Sequence, residues 1–207
     1  GAAHDIRSPL TALGGFASTL MSRWDRLNDE QRLQMLEGIV HDGARMNVII
    51  TQLVDAARLA SGTLTLSPVP SDLRLAVEKA AQDLSKWSTF EVSVGGEPAE
   101  APVDLARLKT IVTALVESAN WWGEEGPIHL ETAAGPPPSV RVWRSKTSLD
   151  QEGARALLRP RAPGTGGGSK VGLFVAKGLA EAHGGRLDVE ADDGISFLLT
   201  LPGSPAG

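Results

Sequence analysis

From Asn28 to Ser61 the chain carries no proline and two separate apolar stripes at helical spacing, which limits its possible folds more than any other feature. One stripe is Leu33, Leu36, Val40, Ile50, Val54 and Ala57; the other is Met35, Ile39, Met46, Ile49, Leu53 and Ala60. A helix with apolar residues on two faces cannot bury both against one neighbour. The preceding segment supplies a first partner: Ala3, Ile6, Leu10, Leu13, Ala17, Leu20 and Trp24 are spaced three and four apart, the seam of a packed helix. Asp25 to Leu27 form a short connector, and Asn28 with Gln31 three positions on forms a capping box that opens the second helix. Two such antiparallel helical hairpins making a dimeric four-helix bundle satisfy both stripes, so the pattern predicts a homodimer through helices 1 and 2.

The second helix should stop near Ser61-Gly62, and Pro68 with Pro70 marks a boundary between a helical hairpin over 1–66 and a second domain over 67–207. In that domain Leu73 to Leu84, Leu105 to Ala119 and Val171 to His183 have helical periodicity. Phe90 to Val94, Ile128 to Thr132 and Val140 to Trp143 are expected strands, and Gly135 to Pro138 an expected loop. Leu187 to Glu190 should pair with Ile195 to Leu201 through the turn Asp193-Gly194, with Ile195, Phe197, Leu199 and Leu201 pointing inward. Helices laid on one face of a mixed sheet make an α/β sandwich, so the chain as a whole is α+β.

Composition narrows the function. At 207 residues, with 42% hydrophobic and 22% charged side chains, the chain can bury the core of one small helical unit and one α/β domain. A net charge of −5 gives no electrostatic footprint for nucleic acid or for an anionic membrane surface. The chain has no cysteine, which excludes disulfides and thiolate metal sites and fits a reducing, cytoplasmic setting. No apolar run approaches the roughly 20 residues of a membrane span. The sequence opens on Gly1, not Met, three residues before His4, so an upstream helix and sensory part are expected, and membrane attachment of a longer parent protein stays open.

The first helix begins His4-Asp5-Ile6-Arg7-Ser8-Pro9-Leu10. His4 falls off the apolar seam, with Thr11 and Ser18, and has a carboxylate as its neighbour. Neutral imidazole is a nucleophile, and Asp5 can hold the proton on one ring nitrogen so that the other is free to attack. Arg7 is available to steady phosphate oxygens. Pro9 has no N–H, so the Asp5 carbonyl loses its helical partner and a bend is expected there. This segment resembles the H-box of two-component sensor histidine kinases. Gly172 to Arg186 resembles the region after the second glycine box of the same family's Bergerat-type (GHKL) ATP-binding domain. The two matches stand in family order and span nearly the whole chain. The resemblance implies that His4 is the phosphorylation site and Asp5 its acid/base partner. It also puts Ser8 at the position where Thr or Asn commonly helps to dephosphorylate a response regulator; serine keeps a hydroxyl but departs from the pattern. His41, His129 and His183 are expected to be structural, the last at a helix C-terminus where a cation suits the dipole.

The nucleotide positions are mostly changed. The family's N-box offers two amides four residues apart, the second holding Mg2+; here those positions are Ala114 and Ser118, with Glu117 between them retained. Asn120 does not replace them, because two helical residues turn it about 200° away. Trp121-Trp122 stands where a basic and an aromatic residue usually follow, and both are expected in a core or an interface. The aspartate that would accept from the adenine amino group is Arg144, which has donors only, and the glycines after it are Lys146 and Ser148. Gly164 to Gly172 resembles a phosphate lid: Gly166, Gly168 and Gly172 remain, while Lys170 replaces the family's middle glycine. A flexible loop and a phosphate-binding loop are both open for it, but it is neither a Walker A loop nor a Rossmann fingerprint. The leading expectation is a two-component protein whose His4 exchanges a phosphoryl group with the receiver-domain aspartate of a response regulator, attached to a degenerate ATP-binding domain. ATP and Mg2+ binding are expected to be impaired, and no metal site or other cofactor is implied. The alternatives are a pseudokinase that docks a partner without carrying phosphate, and an ordinary ATP-dependent kinase with a divergent pocket.

Overall fold

The structure, a computed structural model, describes residues 2–159 and 169–203, with side chains over 6–159 and 171–203. Two helices come first, α1 (Ala2–Arg23) and α2 (Asp29–Ser61), joined by a 3-10 turn at Trp24–Arg26. The capping box forms as expected: Asn28 Oδ1 accepts from the Gln31 N–H at 2.8 Å, and Gln31 Oε1 accepts from the Asn28 N–H at 3.1 Å. Gly62 ends α2 in a left-handed conformation, φ 67°, its N–H bonded to the carbonyls of Arg58 and Leu59.

The helices lie antiparallel and close. A methyl group at Gly38 would stand 2.7 Å from the Phe16 ring, so only glycine admits that ring at the crossing. The two stripes of α2 then part company. Met35, Ile39, Met46, Ile49 and Leu53 are half-buried, whereas Leu33, Leu36, Val40, Ile50 and Val54 are 43–64% exposed. The α1 seam is only partly covered, since Leu20 is buried while Leu10, Ala17 and Trp24 are exposed.

After the hairpin come β1 (Val69–Asp72), α3 (Leu73–Ser85), β2 (Val92–Gly96), β3 (Glu100–Val103) and α4 (Leu105–Trp122), followed by β4 (Glu125–Ala133) and β5 (Ser139–Ser145). The last elements are α5 (Gln151–Leu157), α6 (Ser169–Ala182), β6 (Arg186–Ala191) and β7 (Gly194–Thr200). The main sheet has the order β2-β4-β5-β7-β6, with β2 parallel to β4 and the other pairs antiparallel. Its inward residues Ile128, Leu130, Val140, Val142, Ile195, Phe197 and Leu199 are fully buried against α3, α4 and α6. Asp72 and Asp104 cap α3 and α4 by accepting backbone N–H bonds. Burial opposes ionisation of Asp104, but N–H donors from Ser67, Arg107 and Ala106 outweigh it and hold the carboxyl below its ordinary range.

The sequence does not announce β1, β3 or α5. β1 and β3 form a separate two-stranded ribbon in which Pro70 faces Pro102, and proline in a short run argues against a strand although an edge position tolerates it. α5 has 7 residues, too few for a helical period to register. The strand expected at Phe90 lies two residues later, and α4 continues through both tryptophans.

Candidate functional site

α1 passes through positions 4 and 5, and the side chains of His4 and Asp5 lie outside the described residues. Around them Arg7 and Ser8 are exposed on the helix surface and Pro9 is buried. Gly166 and Gly168 also lie outside the described residues, as does the Lys170 side chain.

The other residues expected at nucleotide positions lie within the described residues. Ala114 and Ser118 do lie on one face of α4. Both are buried, and the Ser118 hydroxyl donates to the Ala114 carbonyl at 2.7 Å. Gly172, in the first turn of α6, sits directly opposite: a methyl group on it would be 3.3 Å from Ala114 Cβ. Glu117 is pushed above the ordinary carboxylate range by burial, opposed by a hydrogen bond from Gln52 and by the charge of Arg45.

Arg144, the residue expected at the adenine-recognition position, has Nε and Nη1 bonded inside the fold. Nε donates to the Gly126 carbonyl at 3.0 Å, and Nη1 to Asn120 Oδ1 at 2.9 Å and to the Asn120 carbonyl at 3.2 Å. The side chain thereby ties the end of α4 to the start of β4, with its aliphatic stem packed on Gly123. Lys146 has a left-handed backbone, φ 52°, at a position where the resemblance leads one to expect glycine, and Ser148 follows on the exposed loop. A lysine there costs about 1 kcal/mol relative to glycine. Of the tryptophan pair, Trp122 packs on the core and Trp121 is exposed.

The three other histidines have structural partners. His41 Nδ1 lies 3.2 Å from Asp42 Oδ1 and its ring meets Trp87 edge-on. His129 Nδ1 is 2.7 Å from Ser93 Oγ, and its ring stacks on Trp143. His183 corrects one expectation. The Asp104 N–H donates to its Nε2 at 3.1 Å and its Nδ1 faces the Leu179 carbonyl at 2.8 Å, so the ring is the neutral Nδ1–H tautomer instead of a cation on the helix dipole.

Residues that carry no family signature join the hairpin to the α/β unit. Asp55 of α2, fully buried, accepts two hydrogen bonds from Arg107 Nη1 of α4, at 2.6 and 2.8 Å. One turn earlier Gln52, also buried, donates to Glu117 Oε2 at 3.3 Å. Leu59 packs where a methyl group on Gly178 would be, 2.7 Å away. Periodicity gave no signal for them, because Gln52 and Asp55 are two among many polar residues of α2. Nearby, a cleft of about 540 Å3 runs between α2 and the α3–α4 layer, lined by Val40, Val48, Leu84 and Trp87, with Asp83 held between Lys86 and Lys109 at its mouth.

Comparison with known proteins places both parts in one context. Residues 1–62 match the His Kinase A (phospho-acceptor) domain family. The bacteriophytochrome of Pseudomonas aeruginosa is 27% identical over 96% of this chain, which covers 28% of that protein. The sensor protein VanSC of Enterococcus gallinarum is 25% identical over 97% of the chain, covering 58% of that protein. The signal transduction histidine-protein kinase/phosphatase MprB of Mycobacterium avium is 26% identical over 99%, covering 42%. The chain thus spans between about a quarter and three fifths of the length of these relatives. Among solved structures, histidine kinase AdeS of Acinetobacter baumannii superposes with a TM-score of 0.64 at 14% identity, covering 96% of this chain and 97% of that one. Full-length ShkA in complex with AMPPNP gives 0.67 at 21% identity, covering 99% and 45%. At these identities the structures establish the fold: a helical hairpin followed by a Bergerat-type α/β domain.

Proposed function

This chain is a member of the two-component sensor histidine kinase family, and on that premise we propose that it is a homodimeric phosphotransfer module in which His4 exchanges a phosphoryl group with a response-regulator aspartate while ATP binding is impaired. The observation that carries the reading is a contrast within one chain. Residues 1–62 match the phospho-acceptor family, yet the positions expected to hold nucleotide are a buried alanine, a buried serine and an arginine whose Nε and Nη1 are bonded within the fold. By the family resemblance, adenine recognition needs an acceptor where Arg144 stands, and Mg2+ needs an amide oxygen where Ser118 stands.

In the transfer itself an imidazole nitrogen of His4 attacks the phosphorus of a receiver aspartyl phosphate in line. The N–P bond forms as the acyl O–P bond breaks, and the aspartate leaves as a carboxylate. Asp5 holds the proton on the other ring nitrogen, so the attacking nitrogen keeps its lone pair, and Arg7 steadies the phosphoryl oxygens. The exposed stripe of α2 supports the dimer, which would bury it in a four-helix bundle.

Two labelling assays test this, one with a radiolabelled phospho-receiver and one with radiolabelled ATP. The receiver should label the chain, His4→Ala should abolish the label, and Asp5→Asn should slow it on the order of 10²-fold without dissociating the dimer. Calorimetry with Mg-ATP should find no binding tighter than roughly millimolar, about −4 kcal/mol. Labelling from ATP with sub-micromolar affinity returns the chain to the ordinary kinases; no label from either donor makes it a docking module.

A further inference from the structure

We propose that Gln52 and Asp55 of α2 form a clasp that closes the junction of α4 and α6 in place of a bound ligand, and that this junction is exposed only when the clasp opens. The reasoning starts with space. Gly172 on α6 meets two groups at once, since a methyl on it would be 3.3 Å from Ala114 Cβ, 3.3 Å from Gln52 Nε2 and 3.5 Å from Gln52 Oε1. Alanine at 114 and glycine at 172 therefore leave room that the Gln52 amide fills from the neighbouring helix. A longer polar side chain at 114 would need the same room.

Polar accounting points the same way. Gln52 and Asp55 are the two buried residues of α2 and both are polar, and burying such groups without partners is costly. Both partners come from α4: Glu117 for Gln52, Arg107 for Asp55. Gln52 and Asp55 are three residues apart on α2 and thus share a face, from which they reach α4 at two separate points, Glu117 and Arg107. The clasp is consequently a two-point contact, and its charged point is costly to break, because losing Arg107 leaves the Asp55 carboxylate buried without its partner. Leu59 on Gly178 extends the closed surface along α6.

Because the chain has no cysteine, closure can be read by crosslinking. The pair Leu59→Cys with Gly178→Cys places two thiols across the interface, since shortening Leu59 makes the room that a side chain at 178 requires. In this background the unaltered clasp should form the disulfide readily, Asp55→Asn should slow its formation at least about tenfold, and Asp55→Arg with Arg107→Asp should restore much of the rate. Hydrogen exchange over 48–59 should report the same order. Ala114→Asn should open the clasp as Asp55→Asn does, by occupying the room Gln52 uses. If Asp55→Asn fails to fold, Gln52→Ala is the variant to read, with slowing of several-fold expected. Disulfide formation as fast in Asp55→Asn or Gln52→Ala as in the parent pair, or a reversed pair that stays open, overturns the proposal. None of these readouts involves phosphate, so their outcome is separable from that of the phosphotransfer assays.

Discussion

The hairpin and the α/β unit solve the same problem, burying apolar surface, to different degrees. In the α/β unit the inward residues of five strands and three helices are closed off from water by one another, so that unit's core is complete within a single chain. In the hairpin, one stripe of α2 is packed on α1 while the other, from Leu33 to Val54, faces outward. A single chain can complete a layered sheet-and-helix core because the sheet offers a broad face, whereas two helices offer each other only a narrow seam. The lesson is that an exposed apolar stripe in the first region implies a missing partner, which the second region does not need.

If that contrast is right, substitutions should act in different currencies in the two regions. The largest effect is expected in the complete core. Phe197→Ala removes a fully buried ring and should cost about 3–5 kcal/mol, seen as loss of the α/β unit's cooperative melting while the chain remains a dimer by light scattering. Ile50→Asp should do the converse, dissociating a dimer at micromolar concentration with little change in the α/β unit, because a carboxylate buried in the bundle without a partner costs several kcal/mol. A chain that is monomeric from the start and fully helical would sink the comparison.

Smaller effects sharpen it at the seam between the regions. The Glu117 carboxyl is raised above 4.5 by burial, so the folded state favours its protonated form. That contribution is present below the unfolded value and is lost as pH rises through the raised folded one. Glu117→Gln should therefore flatten the stability profile above pH 4.5, measured by denaturant midpoints across a pH series. Asp83 is the opposite case. Hydrogen bonds from Lys109 and then Lys86 bring it down from 3.8 to about 2, so its contribution is present above 3.8 and fades as pH falls toward 2. Lys109→Ala should move its titration, followed by NMR, back toward 3.8. Because Asp83 and the lysines lie at the surface, the effect on global stability should be the smallest of the four.

Much of the molecule was legible beforehand because its signals are local. The Asn28–Gln31 capping box, the αL stop at Gly62, the alternation of Ile195, Phe197, Leu199 and Leu201, and the one-face relation of Ala114 and Ser118 depend only on residues within a few positions of each other. The β1–β3 ribbon was hidden because its strands pair across some thirty residues and carry the prolines that argue against them. The role of Arg144 was half-visible: its inability to accept could be read from its chemistry, but its bonds to Asn120 and Gly126 depend on where α4 ends.

The sequence by itself determined the two-stripe helix and the family resemblance, and with it the expectation that most nucleotide positions are changed, since residue identity and helical or strand period suffice for those. Tertiary structure alone decided that Gln52 and Asp55 reach α4, that His183 is neutral because a distant backbone N–H points at it, and that Gly172 and Ala114 leave room for another helix's side chain. The physical reason is common to all three. Periodicity reports which face of an element is apolar, but which polar group satisfies a buried partner on another element depends on the packing of both, and no local pattern encodes it.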